Sequence, residues 1–308
     1  MRGLVLRSTG SFYRLKTPEG IIEARLGGRL RLLGHRHTNP VAVGDHVLVQ
    51  NDDQNGEWLI TEVESRKNYL IRKSTKLSKE TQIIASNIDV LIIVASISQP
   101  RTSTGFLDRL LVSAEAYDIP ALLLVNKVDL LKKEREHLVL EEWKTTYAKA
   151  GYPLYSISAY RSEDIEKVRG LIKDKVCLFS GHSGAGKSTL INALAPHLAL
   201  RTGGISSKHN KGKHTTTFAE MFFLDDFTAI IDTPGIKEFG LYDMAAAQIS
   251  HFFPEIFRAG KGCKFQNCLH THEPDCAAIR AVEAGEIAES RYLNYVQMLE
   301  TNQSNYKR

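Results

Sequence analysis

The sequence predicts a multidomain α/β protein in three parts: a small β-barrel over residues 1–72, a doubly wound parallel sheet over 73–240, and a helical domain over 241–308. Three observations carry this. Short alternating or β-branched segments, punctuated by turns, fill the first part. Continuous apolar runs then alternate with segments of helical period. Finally, a Gly-rich turn joins an apolar strand to a helix at residues 181–189, and three of the four cysteines crowd near the C-terminus.

Composition sets broad limits. The chain has 308 residues, 43% hydrophobic and 24% charged, as in an ordinary globular protein. No apolar run approaches the length of a membrane span, and Met1-Arg2-Gly3 begins no signal peptide, so a cytoplasmic chain is expected. The net charge of +5 permits a polyanionic partner without requiring one. No heptad or exposed apolar stripe argues against a monomer.

In the first part, Gly20–Leu26, Asp45–Val49 and Glu57–Val63 read as strands. The turns between them are Thr17-Pro18-Glu19-Gly20, Asn39-Pro40 and residues 51–56. Several short strands in so short a stretch suggest a small antiparallel barrel of SH3 or OB type. Arg25, Arg29 and Arg31, with His35, Arg36 and His37 nearby, form a basic loop or edge that would suit RNA or simply face water.

In the second part, Val90–Val94 and Ala121–Val125 are apolar throughout, as in strands buried on both faces. Phe106, Leu107, Leu110, Leu111, Ala114 and Tyr117 recur at helical spacing between them. A helix over Glu134–Ala150, a strand at Tyr155-Ser156-Ile157 and a helix over Glu163–Lys173 follow. Val176–Phe179 leads into Gly181-His182-Ser183-Gly184-Ala185-Gly186-Lys187-Ser188-Thr189, and Leu190, Ile191 and Leu194 continue as a helix. Strand, Gly-rich turn, helix is the context of a phosphate-binding P-loop. The glycines let successive N–H groups turn inward on an anion, and the helix N-terminus adds partial positive charge. Lys187 would reach the β- and γ-phosphates, and the Ser188 hydroxyl would ligate Mg²⁺. Beyond it, residues 201–217 form a polar loop before strands at Phe218–Leu224 and Thr228–Ile231.

The base is named elsewhere. Asn126-Lys127-Val128-Asp129 follows a buried strand, where the Asp129 carboxylate can accept hydrogen bonds from guanine N1–H and the exocyclic amino group. Adenine lacks that donor pair and would leave a charge unpaired. Lys127 can lie along the purine, Asn126 can tie this loop to the P-loop, and Ser158-Ala159 can offer a backbone N–H to guanine O6. Asp232-Thr233-Pro234-Gly235 supplies a carboxylate behind Mg²⁺ and, at Gly235, an N–H for the γ-phosphate. A threonine of His214-Thr215-Thr216-Thr217, with Thr216 favoured, would complete the metal shell. The base-reading loop precedes the P-loop and Asp232 comes last, so the chain reads as a circularly permuted GTPase.

With these residues in hand, the chain resembles over essentially its whole length the bacterial family of ribosome small subunit-dependent GTPases A, RsgA. Asn126–Asp129, Gly181–Thr189, Thr216 and Asp232–Gly235 carry the resemblance. It implies an OB-like rather than SH3-like barrel and a zinc-containing C-terminal domain. It also implies GTP hydrolysis that is slow alone, stimulated by the small ribosomal subunit, and used late in that subunit's maturation. Ile236 occupies the place where many GTPases carry a water-orienting glutamine. His214 is the candidate to orient water instead, in keeping with what is proposed for the family; its rival role is contact with the ribosome beside Lys208, Lys211 and Lys213.

Cys263-x4-Cys268-x-His270-x5-Cys276 has the number and softness of donors for a closed tetrahedral zinc site. His272 competes with His270 as fourth ligand, and the resemblance favours His270. Cys177, in the strand before the P-loop, reads as core filling. Ile279, Val282, Ile287, Tyr292 and Tyr295 are expected to pack on the metal site, and Lys261, Lys264, Arg280, Arg291, Lys307 and Arg308 to face RNA or water. Two functions are thus expected to compete: an assembly GTPase gripping 16S rRNA of the small subunit, or a GTP-gated binding module for a protein partner with incidental hydrolysis.

Overall fold

A computed structural model describes residues 1–28, 30, 39–52, 56–73, 81–198, 219–233 and 245–306. The barrel consists of β1 (Arg2–Ser8), β2 (Tyr13–Thr17), β3 (Gly20–Leu26), β4 (His46–Asp52) and β5 (Glu57–Val63). β1, β2 and β3 pair antiparallel in sequence, β3 pairs parallel with β5, β5 pairs antiparallel with β4, and β4 closes back on β1. That closed Greek-key circuit is of OB type. Period-2 alternation fills it: Tyr13, Leu15 and Thr17 point in while Arg14 and Lys16 point out. Val5, Tyr13, Leu15, Val47, Val49 and Ile60 make its core.

β6 (Tyr69–Lys73) and β7 (Thr81–Ser86) form a separate two-stranded ribbon between barrel and main sheet. A buried carboxylate fastens the ribbon to the barrel. Asp45 accepts from Arg66 through both oxygens at 2.7 Å, from the Ser86 hydroxyl at 2.5 Å and from the Ala42 N–H at 2.8 Å.

The main sheet is β8 (Val90–Ala95), β9 (Ala121–Val125), β10 (Leu154–Ser156), β11 (Val176–Gly181), β12 (Glu220–Phe223) and β13 (Ala229–Asp232). Their order is β10-β9-β8-β11-β13-β12. All neighbours are parallel except β12, which runs antiparallel to β13, so the expected parallel sheet carries an antiparallel edge. β12 pairs with the barrel at Arg7 and Glu220.

Helices cover both faces. α1 (Thr104–Ala116) and α2 (Glu134–Ala150) pack on the face lined by Leu91, Ile93, Leu123 and Leu178. α3 (Ser162–Ile172) and α4 (Lys187–Leu194) pack on the face lined by Ile92, Val94, Leu124 and Phe179. Cys177 is core filling on this second face.

The C-terminal part holds α5 (Pro254–Gly260), α6 (Ala277–Glu283) and α7 (Glu289–Tyr306) around Phe253, Ile256, Ala278 and Tyr295. Val112 of α1 belongs to the same cluster, so α1 is buried between sheet and C-terminal helices. Arg291 does not face RNA or water as a surface cation would. It is 1% exposed and bound to Glu255 and Asp108, because burial of α7 against α1 and α5 leaves its guanidinium only those carboxylates. Among the described residues no helix is long and apolar enough to cross a membrane.

Candidate functional site

Ligands in open α/β sheets bind beyond the carboxyl ends of the strands, and here five loops meet at that edge. They follow β8, β9, β10, β11 and β13, and four carry the residues singled out by sequence.

The P-loop turns out of β11 between two left-handed glycines, Gly184 at φ +83° and Gly186 at φ +92°. A Cβ at Gly186 would strike the Asn126 side chain, so this position requires glycine for space as well as for conformation. Ala185 is fully buried in the α3/α4 core and pins the loop from below. Lys187, Ser188 and Thr189 form the first turn of α4, half-buried at the loop's mouth.

Asn126 joins three loops. Its amide donates to the Ala185 carbonyl at 3.0 Å, and its Oδ1 accepts from the Ala159 N–H at 3.0 Å. Lys127, left-handed at φ 66°, donates to the carbonyls of Gly184 at 2.7 Å and Gln99 at 2.6 Å. Asp129 sits exposed in the 3₁₀ turn Val128–Leu130. Ser158 and Ala159 are buried, and the Ser158 N–H is held by Asp164 at 2.8 Å.

On the phosphate side, Asp232 ends β13 and its carboxylate accepts from Lys187; the same ammonium reaches the Thr233 carbonyl at 2.7 Å. The hydroxyl of Thr233 donates to the Phe179 carbonyl at 3.1 Å, locking β13 to the P-loop strand. His182 lies with its ring on Phe106 of α1, centroids 4.2 Å apart. His214, Thr216 and Gly235 lie outside the described residues.

Two supports escaped the sequence reading. Loop 96–103 crosses the P-loop, with Gln99 on Lys127 and Pro100 beside Gly184. Its position after β8, a buried parallel strand, was the available signal. Asp164 looked like any acidic residue in a first helical turn.

The second constellation lies in the C-terminal part. Donor atoms of Cys263, Cys268, His270 and Cys276 all fall within 4.8 Å of one another. Cys276 Sγ is 3.8 Å from the sulfurs of Cys263 and Cys268, and His270 Nδ1 is 3.5 and 3.3 Å from Cys263 and Cys276. An ion about 2.3 Å from each sulfur at tetrahedral angles requires sulfur–sulfur edges of about 3.8 Å. The four residues therefore fit one metal ion. His272 is outside the group: exposed, with Nδ1 on the Thr271 hydroxyl at 2.9 Å.

The ligand loop is held from both sides. Tyr292 and Tyr295 of α7 donate to the carbonyls of His270 and Leu269 at 2.8 and 2.6 Å. Glu273 accepts from the N–H groups of Leu269, Thr271 and His272 at 2.7, 3.0 and 3.2 Å. Burial pushes the Glu273 carboxyl up, but those donors outweigh it and hold it at about 2. Burial also lowers the pKa of His270, favouring the neutral imidazole that a metal needs.

Cations around these sites stack on aromatic rings. Arg25 lies over Phe12 at 4.7 Å and pairs with Glu57 at 3.3 Å, while Lys261 and Lys264 lie over Phe257 and Phe265. Arg29, Arg31, His35, Arg36, His37, Lys208, Lys211, Lys213, Lys307 and Arg308 lie outside the described residues.

A model of the RsgA GTPase family matches residues 63–242, and one of the RsgA N-terminal domain matches residues 2–59. A protein of Bacteroides fragilis named small ribosomal subunit biogenesis GTPase RsgA is 50% identical over 301 residues, covering 97% of this chain and 96% of that protein. One of Porphyromonas gingivalis with the same name is 47% identical, with the same coverage. The crystal structure of YjeQ from Thermotoga maritima superposes with a TM-score of 0.77 at 32% identity, covering 97% of each chain. YloQ, described as a circularly permuted GTPase, superposes with a TM-score of 0.73 at 28% identity, covering 99% of this chain and 95% of that one. The likeness runs along essentially the full length, and the chain belongs to the RsgA GTPase family.

Proposed function

We propose that this GTP hydrolase is an assembly factor of the small ribosomal subunit, docking on 16S rRNA late in maturation and leaving after hydrolysis. The observation that carries the reading is Asn126, which bonds the base-reading loop to the P-loop and so presents Asp129 and Lys187 to one nucleotide. The names of the relatives supply the subunit. The protein acts in the cytoplasm as a monomer.

Each group has its task. Asp129 accepts from guanine and Lys127 lies along the purine, while the Ala159 N–H, expected from the sequence to reach O6, is taken by Asn126 Oδ1. The amides of residues 182–189 and the Lys187 ammonium cradle the phosphates, once Lys187 turns from Asp232 toward them. Mg²⁺ would be held by Ser188 and Thr216, with Asp232 behind, and bound there would offset charge on the β- and γ-phosphate oxygens. Gly235 would donate to the γ-phosphate. Ile236 cannot orient water, so hydrolysis is slow until the subunit brings His214 to bear on it. One Zn²⁺ on Cys263, Cys268, His270 and Cys276 is structural, because four protein ligands leave no open position.

The deciding experiment measures GTP turnover with purified small subunits, with large subunits and alone, using Lys187→Ala as control. Stimulation by small subunits only, absent in the variant, is the expected result. Turnover indifferent to subunits, with GTP binding intact, would sink the reading in favour of a protein partner. Phosphate-mediated docking also weakens steeply with salt, whereas an apolar protein interface does not.

A further inference from the structure

Helix α1 touches the P-loop through one face and the C-terminal helices through the opposite one. At about 100° per residue, Thr104 and Asp108 lie about 40° apart and Phe106 lies on the other side. Thr104, Asp108, Val112 and Ala116, four residues apart in series, face the C-terminal helices, and Val112 and Ala116 pack in their core. Phe106, between the first two, carries the His182 ring of the P-loop.

The contacts on the C-terminal side are polar and specific. Asn294 of α7 donates to the Thr104 hydroxyl at 3.2 Å and to Asp108 Oδ2 at 2.6 Å. Arg291, one turn earlier, donates to Asp108 Oδ1 at 2.7 Å. Gly105 makes room: a Cβ there would stand 3.2 Å from Asn294 Oδ1. The loop leading into this turn holds Gln99 and Pro100 against Lys127 and Gly184. The first turn of α1 is therefore clamped between α7 and the phosphate-binding loop.

We propose that Asn294 is a positioning residue of the nucleotide site, fixing the first turn of α1 and, through Phe106 and His182, the P-loop. The proposal rests on the reading of that loop as the GTP site. It gives the C-terminal domain a route to the nucleotide that does not pass through the segment after Asp232. Since coupling between sites is reciprocal, a load on α7 changes nucleotide affinity and nucleotide changes what α7 presents.

The route has a signature. The P-loop cradles phosphates common to GDP and GTP, so loosening it weakens both by the same factor. A perturbed switch segment would weaken GTP alone.

The test measures affinities of the full-length, zinc-loaded protein for GDP and a non-hydrolysable GTP analogue in Asn294→Ala, Thr104→Val and Leu293→Ala. Leu293 is exposed on the same helix and serves as control. Zinc content and unfolding midpoint are recorded for each. The expected result is a loss of about fivefold for both nucleotides in N294A and T104V, the low end of usual couplings, with L293A like wild type. Wild-type affinities in folded, zinc-loaded N294A and T104V would overturn the proposal, as would a loss confined to the GTP analogue. Should N294A lose zinc, T104V decides, since it alters α1 alone. Failure of the wild type to bind guanine nucleotides would instead remove the reading beneath the proposal, and the proposal with it.

Discussion

The Asn126 amide donates to the Ala185 carbonyl across 59 residues of sequence, while its oxygen accepts the Ala159 N–H. One side chain, 2% exposed, satisfies two buried backbone groups on two different loops. Asn126→Ala orphans both, and each buried unsatisfied group costs about 1–3 kcal/mol. The variant is expected to lose about 2 kcal/mol or more of stability in denaturant unfolding. It should also lose guanine-nucleotide affinity by more than about tenfold in calorimetry. Stability lost with affinity intact would mean the two loops hold register without it.

Asp129 stands exposed in the 3₁₀ turn after Asn126, and in the proposed function its acceptor oxygens pair with two donors on guanine. Asp129→Asn replaces one acceptor by a donor, which suits the 2-oxo group of xanthine. GTP affinity is expected to fall at least about a hundredfold, as in sites built to pair a specific polar group. XTP should bind the variant better than GTP does. Competition binding with GTP, XTP and ATP checks this; unchanged preference for GTP would place base recognition elsewhere.

What was legible in the sequence follows from what burial does to pattern. β8 and β9 are apolar at every position because helices cover both faces, and Asn126-Lys127-x-Asp129 stands at the end of one of them. The order of motifs alone revealed the permutation. β1 was hidden because a bulge between Val5 and Arg7 breaks its alternation, and a bulge after Leu70 blurs the β6–β7 ribbon in the same way. Strand direction leaves no periodicity, so the antiparallel β12 could not be read. Arg291 looked like a surface cation because its partners lie 36 and 183 residues away.

Glu273 makes the metal loop sensitive to acid in a definite direction. Its carboxyl is held at about 2 when folded against an ordinary 4.5, so its charged form stabilises the fold above about 4.5. That contribution is lost as pH falls toward 2. Glu273→Gln keeps the shape and removes the charge, at a cost of about 1 kcal/mol at neutral pH. The variant should release zinc to a lower chelator concentration at pH 7, and its acid midpoint for zinc release should move to higher pH. Identical release curves would show that Tyr292 and Tyr295 suffice to hold the loop.

Arg291 bonds Glu255 at 2.7 and 3.1 Å and Asp108 at 2.7 Å with all three groups buried. Burial opposes the guanidinium charge, but the two carboxylates outweigh it and Arg291 stays cationic. For Asp108 burial wins, raising its pKa above 3.8 against the pull of Arg291. A folded value above the unfolded one favours the fold below about 3.8 and loses that contribution as pH rises. Arg291→Met removes the opposing pull, leaves two carboxylates without their cation, and is expected to cost about 3–5 kcal/mol at neutral pH. Because Asp108 is pushed further up, the deficit should shrink as pH is lowered. Denaturant midpoints at pH 5 and pH 8 measure it; a deficit that is equal at both would mean packing around Tyr147, Tyr152 and Phe253, not charge, sets the cost.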